Sequence, residues 1–213
     1  MIETFPEIVQ NTAEWFDIRK GLATASRFSD ILAKGKGLSR AKYMRQLAGE
    51  IITGRPMNTV KTWAMDRGHV EEERARAEYA FLFNTRLQRV GFVRNGRKGC
   101  SPDGLVDGEP GMAEFKSGEP DIHIEVIERS IAEPDFYPTE HKAQTQGNLW
   151  VCEREWIDIF YPSQGDIPAF RKRIVRDPKF IAELSRAVDE FNAELDELVA
   201  RIKSYVTEGF SSL

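Results

Sequence analysis

The spacing of apolar residues changes abruptly near residue 86, and no other feature constrains the fold as strongly. Residues 59–83 place apolar side chains three or four positions apart, which is the spacing of an amphipathic helix. Beyond that point, RLQRVGFVR (86–94) alternates apolar and polar residues, and CSPDGLVDGEPGMAEFK (100–116) predicts two short strands joined by a turn rich in Gly and Asp. We therefore expect a sheet core within a largely helical chain, in an α/β or α+β fold.

Capping residues and periodicity set the expected bounds of the other elements. Helices are expected from Asn11 or Thr12 to Gly21, from Thr24 to Lys34, from Ser39 to about Thr53, from Thr59 to Phe83 with an interruption at Gly68, from Asp121 to Ile131, and from Pro138 to about Cys152. Two further strands are expected in WIDIFYP (156–162) and AFRKRIV (169–175), which are rich in aromatic and β-branched residues.

A last amphipathic helix is expected over about 178–207. Its apolar residues alternate steps of three and four, and they are Ile181, Leu184, Val188, Phe191, Leu195, Leu198, Ile202 and Tyr205. Such a stripe normally packs a helix onto its own domain, and we expect that here, although the same pattern could join subunits.

The length of 213 residues, with 41% apolar residues, suffices for one core, because single domains usually span roughly 100–200 residues. We expect one domain over 1–213, with a helical part at about 1–85, a sheet-containing core at about 86–176 and the C-terminal helix. No segment approaches the roughly 20 apolar residues of a membrane span, and MIETFPEIVQ does not resemble a signal peptide. We therefore expect a cytoplasmic protein.

Two cysteines, Cys100 and Cys152, are too few for a disulfide framework or a four-cysteine metal site, so we expect reduced thiols.

The net charge of −4 argues against a uniformly basic nucleic-acid-binding protein. However, residues 1–101 carry 18 Lys and Arg against 11 Asp and Glu (+7), whereas residues 102–213 carry 12 against 23 (−11). Phosphate contact is expected in the first half, unless acidic C-terminal helices merely skew the count.

The predicted hairpin carries the most distinctive chemistry. Asp103 is expected at the end of its first strand, and Glu114 and Lys116 lie two residues apart on the second, so they project to the same face. Two carboxylates can hold a hard divalent cation, and a neighbouring lysine can orient or help deprotonate a water molecule. This combination suits phosphodiester hydrolysis, although on its own it also fits an exposed acidic hairpin.

Four segments, in this order, resemble bacteriophage lambda exonuclease and the YqaJ-type viral recombinases of the PD-(D/E)xK nuclease superfamily. They are WFDIRKGLATASRFSDIL (15–32), RGHVEEERARAEY (67–79), CSPDGLVDGEPGMAEFK (100–116) and HKAQTQGNLWV (141–151). The resemblance extends over about residues 12–162. It implies a central mixed sheet flanked by helices, with a restriction-endonuclease-like core.

The resemblance also implies roles for individual residues. Metal binding is implied for Asp103, Glu114, the carbonyl of Phe115 and Glu72, with Glu71 and Glu73 as rivals of Glu72. Positioning of the attacking water is implied for Lys116 and Gln144, with Gln146 as the nearest competitor of Gln144. Binding of a terminal DNA 5′ phosphate is implied for Arg19, Ser26 and Ser101, where a helix beginning at Thr24 would also direct N–H groups toward the anion.

The implied function is a Mg²⁺-dependent 5′-to-3′ exonuclease. It would bind one or two Mg²⁺ ions, for which Mn²⁺ can substitute, and digest one strand of linear duplex DNA to mononucleotides. The implied assembly is a ring-shaped homotrimer, and the implied partners are double-stranded DNA ends and a phage single-strand annealing protein. The remaining 3′ single strand would serve recombination in a bacterial host.

Two alternatives remain open from the residues. The same carboxylates and lysine would serve a PD-(D/E)xK endonuclease of the restriction or junction-resolving type. A DNA-binding assembly protein without hydrolytic activity is a further alternative, which the presence of Asp103, Glu114 and Lys116 disfavours.

Overall fold

Two β-sheets contain the strands. The structure is a computed structural model that describes residues 1–33, 37–57, 63–133 and 135–205, and for residues 63–69 it describes the backbone alone. The strands are β1 (Ile2–Phe5), β2 (Ala23–Thr24), β3 (Leu87–Gln88), β4 (Phe92–Asn95), β5 (Lys98–Cys100), β6 (Gly104–Val106), β7 (Gly111–Phe115), β8 (Trp156–Tyr161) and β9 (Phe170–Val175). One sheet has the order β1-β4-β5-β2 and the other β3-β6-β7-β8-β9. Because β7 pairs in parallel with β8 and antiparallel with β6, the predicted mixed sheet is confirmed.

Helices flank these sheets, as the sequence predicted. They are α1 (Ala13–Ile18), α2 (Phe28–Leu32), α3 (Leu38–Thr53), α4 (Trp63–Leu82), α5 (Pro120–Ala132), α6 (Lys142–Cys152) and α7 (Pro178–Lys203). Thr12, rather than Asn11, caps α1, since its side chain accepts the backbone N–H of Trp15. Among the described residues, no helix combines the length and the apolar character needed to cross a membrane.

The central strand β7 separates two apolar clusters. Met112 points into the main core, which includes Leu149 of α6 and Leu184 of α7. Ala113 belongs instead to a smaller cluster that includes Tyr79 of α4. Since side chains alternate along a strand, this arrangement directs Glu114 toward the α6 side of the sheet.

Helix α7 packs its apolar stripe onto its own domain, as expected. Asp177 caps the helix by accepting the N–H of Phe180 at 3.0 Å, and Pro178 occupies the first turn. The stripe residues from Ile181 to Leu195 are buried, whereas Ile202 is half exposed. The helix ends at Lys203, and the last two predicted residues, 206 and 207, lie outside the described range.

The alternating segment 86–94 lies in the sheets, but it forms two strands that belong to different sheets. β3 pairs with β6 of the larger sheet, and β4 pairs with β1 and β5 of the smaller one. Gly91 lies where the chain crosses between the sheets, and a Cβ there would lie 1.8 Å from the carbonyl oxygen of Ile8. Apolar alternation does not reveal such a close backbone approach. β1 was not predicted.

Two helix predictions also need correction. Thr24 does not begin a long helix, because it pairs with β5 and its backbone N–H donates to the Tyr43 hydroxyl at 3.0 Å. A 3-10 turn (Ala25–Arg27) and the short α2 follow instead. Gly68 does not interrupt α4, whose backbone is helical throughout, since a helical glycine costs only about 1 kcal/mol. The predicted start of this helix, Thr59, lies outside the described residues.

The two cysteines are free thiols, as predicted. Their Sγ atoms lie 3.3 Å apart, between the end of β5 and the end of α6. Burial raises the pKa of the Cys100 thiol well above its ordinary value, with a further contribution from Cys152.

Leu195→Ala should lower the free energy of unfolding by about 2–5 kcal/mol, because it opens a cavity under the stripe of α7. Ile202→Ala on the same helix is the matched control, and it should cost less than about 1 kcal/mol because Ile202 is half exposed. Urea denaturation monitored by circular dichroism measures both. Equal losses would contradict the packing described for α7.

Candidate active site

Strand β7 and the residue that follows it carry the first two candidate residues, Glu114 and Lys116. Glu114 is only 3% exposed and pairs in register with Ile159 of β8. Lys116 lies just beyond the strand, where its backbone N–H donates to the carbonyl oxygen of Phe160 at 2.9 Å. Its Nζ donates to Glu114 Oε1 at 2.8 Å, so the two side chains share a face as the spacing predicted.

Asp103 lies next to this pair, although it does not end a strand as predicted. It occupies the connection between β5 and β6, and the antiparallel pairing of Gly104 with Ala113 brings it beside β7. Its Oδ2 accepts the backbone N–H of Phe115 at 2.7 Å. A connection, rather than a strand end, therefore presents this carboxylate.

The environment of Asp103 disfavours its negative charge. Burial raises the pKa of this carboxyl well above its ordinary value, and the negative charges of Glu114 and Glu72 raise it further. The Phe115 N–H and the Lys116 ammonium oppose the shift without cancelling it. A divalent cation would relieve this repulsion between carboxylates.

Gln144 of α6 completes a closed set of hydrogen bonds with the pair on β7. Its Nε2 donates to Glu114 Oε1 at 2.6 Å, and its Oε1 accepts from Lys116 Nζ at 3.1 Å. Burial alone would lower the pKa of Lys116, but the Glu114 and Asp103 carboxylates outweigh burial and raise it. Lys116 is therefore a cation here, better suited to orienting water or phosphate than to accepting a proton.

The competitor Gln146 points elsewhere. Its Nε2 donates to the Val175 carbonyl oxygen at 2.9 Å, and its Oε1 accepts the Asp177 N–H at 2.8 Å. It thus ties α6 to the end of β9 and the start of α7. Of the two glutamines, the structure brings Gln144 to the carboxylates and leaves Gln146 in a structural role.

Helix α4 brings a third carboxylate to the edge of the site. Glu72 and Asp103 line a cleft of about 120 Å³, and Glu72 Oε1 accepts from Arg76 Nη2 at 2.8 Å. Glu73 also lines the cleft but forms an ion pair with Arg89. The structure therefore favours Glu72 over its rivals by position, since it contributes to the raised pKa of Asp103.

The side chains need adjustment before they could hold a metal together. Among the residues that the structure describes, no three His, Cys, Asp or Glu side chains converge on one point. Glu114 is held by Lys116 and Gln144, and Glu72 is paired with Arg76. The donor set nevertheless fits a hard cation such as Mg²⁺, because it consists of carboxylate oxygens crowded enough to raise the pKa of Asp103.

A separate cavity of about 210 Å³ contains two of the predicted phosphate-binding residues, Arg19 and Ser26. We name it the Arg19 cavity; Trp15, Tyr43 and Glu50 also line it. The Arg19 guanidinium lies 3.7 Å from the centre of the Trp15 ring, and its buried Nε has no hydrogen-bond partner. Burial lowers the pKa of Arg19 to about 10, so it remains a cation. An anion would satisfy both its charge and its unpaired donor.

Ser101 does not line the Arg19 cavity itself, but Trp15 connects it to Arg19. The indole Nε1 donates to Ser101 Oγ at 2.8 Å, while Arg19 stacks on the same ring. Sequence reasoning assigned no role to Trp15. The signal available was its place beside Arg19 on a short helix, which does not distinguish this role from ordinary packing.

Helix α6 links the Arg19 cavity to the carboxylates. It packs on the 3-10 turn that carries Ser26, and this contact requires Gly147. A Cβ at Gly147 would lie 2.5 Å from the Phe28 ring and 3.2 Å from the Ala25 side chain. The helix that bears Gln144 thus also supports Ser26.

A mixed sheet flanked by helices, with Asp103, Glu114 and Lys116 at its centre, defines a nuclease fold of the PD-(D/E)xK type. The chain belongs to the YqaJ-like viral recombinase domain family, whose pattern matches residues 14–155. It is a nuclease of the lambda exonuclease type, and the predicted family and enzyme class are confirmed.

Solved structures support this assignment. The chain is similar to LHK-Exo, an alkaline exonuclease from Laribacter hongkongensis, in two crystal structures. In complex with dAMP, that protein matches with a TM-score of 0.79 and 33% identity, over 90% of this chain and 96% of its own. A second structure of it gives a TM-score of 0.78 with the same identity and coverage.

A more distant structure supports the fold alone. It is a phage related exonuclease from Haemophilus somnus 129PT, with a TM-score of 0.65 and 14% identity over 85% of this chain and 96% of its own. A comparison with functionally curated proteins gave no match.

Asp103→Asn should stabilise the metal-free protein at neutral and alkaline pH. A carboxyl whose pKa is higher in the folded state contributes stability below its unfolded pKa, and that contribution is lost as the pH rises through the folded pKa. Asparagine removes the charge but can still accept the Phe115 N–H. The melting temperature should rise by roughly 2–4 °C, the shift that about 1 kcal/mol produces in a domain of this size.

Thermal unfolding in a chelating buffer measures the difference, with the exposed Asp107→Asn as control. The gain should disappear below about pH 4, where an ordinary carboxyl is protonated in the unfolded chain. A lower melting temperature for Asp103→Asn at alkaline pH would contradict the repulsion described here.

Proposed function

We propose that this nuclease is a Mg²⁺-dependent 5′-to-3′ exonuclease that digests one strand of linear duplex DNA to mononucleotides. The observation that carries the proposal is the pairing of two sites through α6, namely the carboxylate–lysine centre and the Arg19 cavity. A hydrolytic centre alone would suit any nuclease of this class. A separate cationic cavity that can hold a terminal phosphate suits an enzyme that works from a strand end.

At the hydrolytic centre, Asp103, Glu114 and Glu72 would hold one or two Mg²⁺ ions, with the Phe115 carbonyl as a further ligand. When bound, the cation supplies Lewis-acid stabilisation of the charge that develops on the scissile phosphate, and Mn²⁺ can substitute for it. Lys116 and Gln144 would position the attacking water, since both are hydrogen-bonded to Glu114. The Lys116 ammonium would also attract a phosphate oxygen.

At the Arg19 cavity, the terminal 5′ phosphate would accept hydrogen bonds from Arg19 and Ser26. Ser101 would contribute from the other side of Trp15. The short 3-10 turn at Ala25–Arg27 contributes less helix dipole than the long helix predicted from Thr24. The binding energy must therefore come mainly from the Arg19 guanidinium.

The product class has support from a relative. LHK-Exo has been crystallised with dAMP, a deoxyribonucleoside monophosphate of the kind that such digestion would release. In the wider proposal, the chain forms a homotrimeric ring in the cytoplasm of a bacterial host. The 3′ single strand it leaves passes to a phage single-strand annealing protein for recombination.

The decisive test incubates linear duplexes, phosphorylated at one 5′ end or the other, with Mg²⁺ and follows nucleotide release from each strand. We expect mononucleotides from the 5′-phosphorylated strand and an intact complementary strand. A covalently closed plasmid should remain uncut. Cleavage of that plasmid would instead support the endonuclease alternative, and no release from any substrate would support a non-catalytic protein.

Asp103→Ala and Lys116→Ala should each reduce digestion of linear duplex by roughly 100-fold or more, because each removes a charge from the hydrolytic centre. Asp107→Ala, at an exposed position of the turn between β6 and β7, is the matched control and should retain wild-type activity. Circular dichroism verifies that each variant is folded. Full activity in either variant of the pair would refute the assignment of the centre.

Arg19→Ala should reduce the preference for a 5′-phosphorylated end over a 5′-hydroxyl end by roughly 10-fold or more, because a charge-assisted hydrogen bond contributes about 1.5–3 kcal/mol. Arg45→Ala removes an exposed cation of α3 and should leave the preference unchanged. Initial rates on the two substrates measure the ratio. Equal losses on both substrates would show that Arg19 supports folding or general binding instead.

A further inference from the structure

The Glu114 carboxylate is held from two sides, one of which faces the core. Lys116 and Gln144 both donate to Oε1. Oε2 accepts a hydrogen bond from Asn148 Nδ2 at 2.9 Å. Each oxygen of this carboxylate therefore has its own hydrogen-bond donors. Among the residues that the structure describes, Asn148 is the donor to Oε2.

Asn148 is well placed to control the orientation of Glu114. It lies one helical turn after Gln144 on α6, so the two amides project from the same face of the helix. Asn148 is only 2% exposed, whereas Gln144 and Lys116 are half-buried. Water cannot readily replace the Asn148 N–H at this depth, so its loss would leave Oε2 without a donor.

The chemistry of the side chain suits this position. An amide N–H donates to a carboxylate without adding a charge, and thus without competing with a cation for Glu114. Lys116 and Gln144 bond to Oε1 from the more open side, where both can exchange partners with substrate or water. Asn148, which is 2% exposed, has no such access to substrate or water.

We infer that Asn148 is a positioning residue, which fixes the plane of the Glu114 carboxylate and thereby the direction in which it offers an oxygen lone pair to a divalent cation. This inference rests on the proposed function, because it assigns Glu114 to metal binding. Carboxylates that bind metals are commonly oriented by such hydrogen bonds, and loss of one typically weakens metal affinity 10–100-fold.

The helix itself supplies a control. Gln146 is also a buried amide of α6, but it bonds to the backbone of β9 and α7 and not to Glu114. Gln146→Leu should therefore lower the melting temperature while leaving metal affinity within about twofold of the wild type.

Two substitutions separate positioning from packing. Asn148→Leu fills the same space but removes the N–H donor. Asn148→Ser opens a void that can admit a water molecule, through which the serine hydroxyl can still donate to Glu114. A positioning role requires Asn148→Leu to lose more metal affinity than Asn148→Ser, whereas a packing role requires the reverse.

The measurement is Mn²⁺ binding to the full chain, followed by the electron paramagnetic resonance signal of free Mn²⁺ alongside the melting temperature. Asn148→Leu should bind Mn²⁺ about 10–100-fold more weakly than the wild type, with Asn148→Ser between them. A tenfold loss corresponds to about 1.4 kcal/mol. Wild-type affinity in Asn148→Leu, or weaker binding by Asn148→Ser than by Asn148→Leu, would overturn the inference.

The same experiment separates this inference from the proposed function. Suppose that the wild type binds Mn²⁺, that Asp103→Ala and Asn148→Leu weaken this binding, and that the wild type digests no linear duplex. The proposed exonuclease activity then fails, and the role of Asn148 stands. If the wild type digests duplex and Asn148→Leu binds Mn²⁺ normally, the inference fails and the activity stands. Absence of Mn²⁺ binding by the wild type would overturn the inference as well.

Discussion

The burial of Glu114 at the end of the central strand is the constraint on which the rest of the site depends. A carboxylate that is 3% exposed must be surrounded by donors, because an unpaired buried charge is strongly unfavourable. Lys116 follows β7 directly, and helix α6 supplies Gln144 and Asn148. The sheet and α6 must therefore meet in one register, and Gly147 lets α6 come close enough to the segment that carries Ser26. One packing contact thus sets the relation between the hydrolytic centre and the Arg19 cavity.

Much of the fold was predictable because local signals agree with the tertiary structure. The apolar stripe of α7 has strong periodicity, and the segments of β8 and β9 are rich in aromatic and β-branched residues. All three elements form where they were expected. The sequence was uninformative or misleading where long-range contacts decide the local conformation. Residues 86–94 divide at Gly91 because the Ile8 backbone lies against that glycine, and Thr24 is extended because it pairs with β5. Neither contact leaves a periodic signal in the sequence.

In the candidate site, too, local sequence signals predicted some residues, whereas long-range contacts decided the others. Alternation along one strand placed Glu114 and Lys116 together, and the predicted hairpin brought Asp103 beside them. Only the family resemblance brought in Glu72, Gln144 and Arg19. Sequence reasoning left Gln144 and Gln146 in competition, because two glutamines two residues apart on a helix differ only in what each one meets. It did not identify Trp15 or Asn148, since a buried tryptophan and a helical asparagine usually reflect packing. Their partners, Ser101 and Glu114, lie 86 and 34 residues away in the chain.

A crystal structure of the protein with Mn²⁺ and a short 5′-phosphorylated duplex would test the central claim most directly, because the anomalous signal of manganese locates the ion independently of any assumed role. We expect Mn²⁺ in contact with the carboxylates of Asp103 and Glu114, and the terminal phosphate beside Arg19 and Ser26. Manganese at another position, or a strand end bound away from the Arg19 cavity, would contradict it.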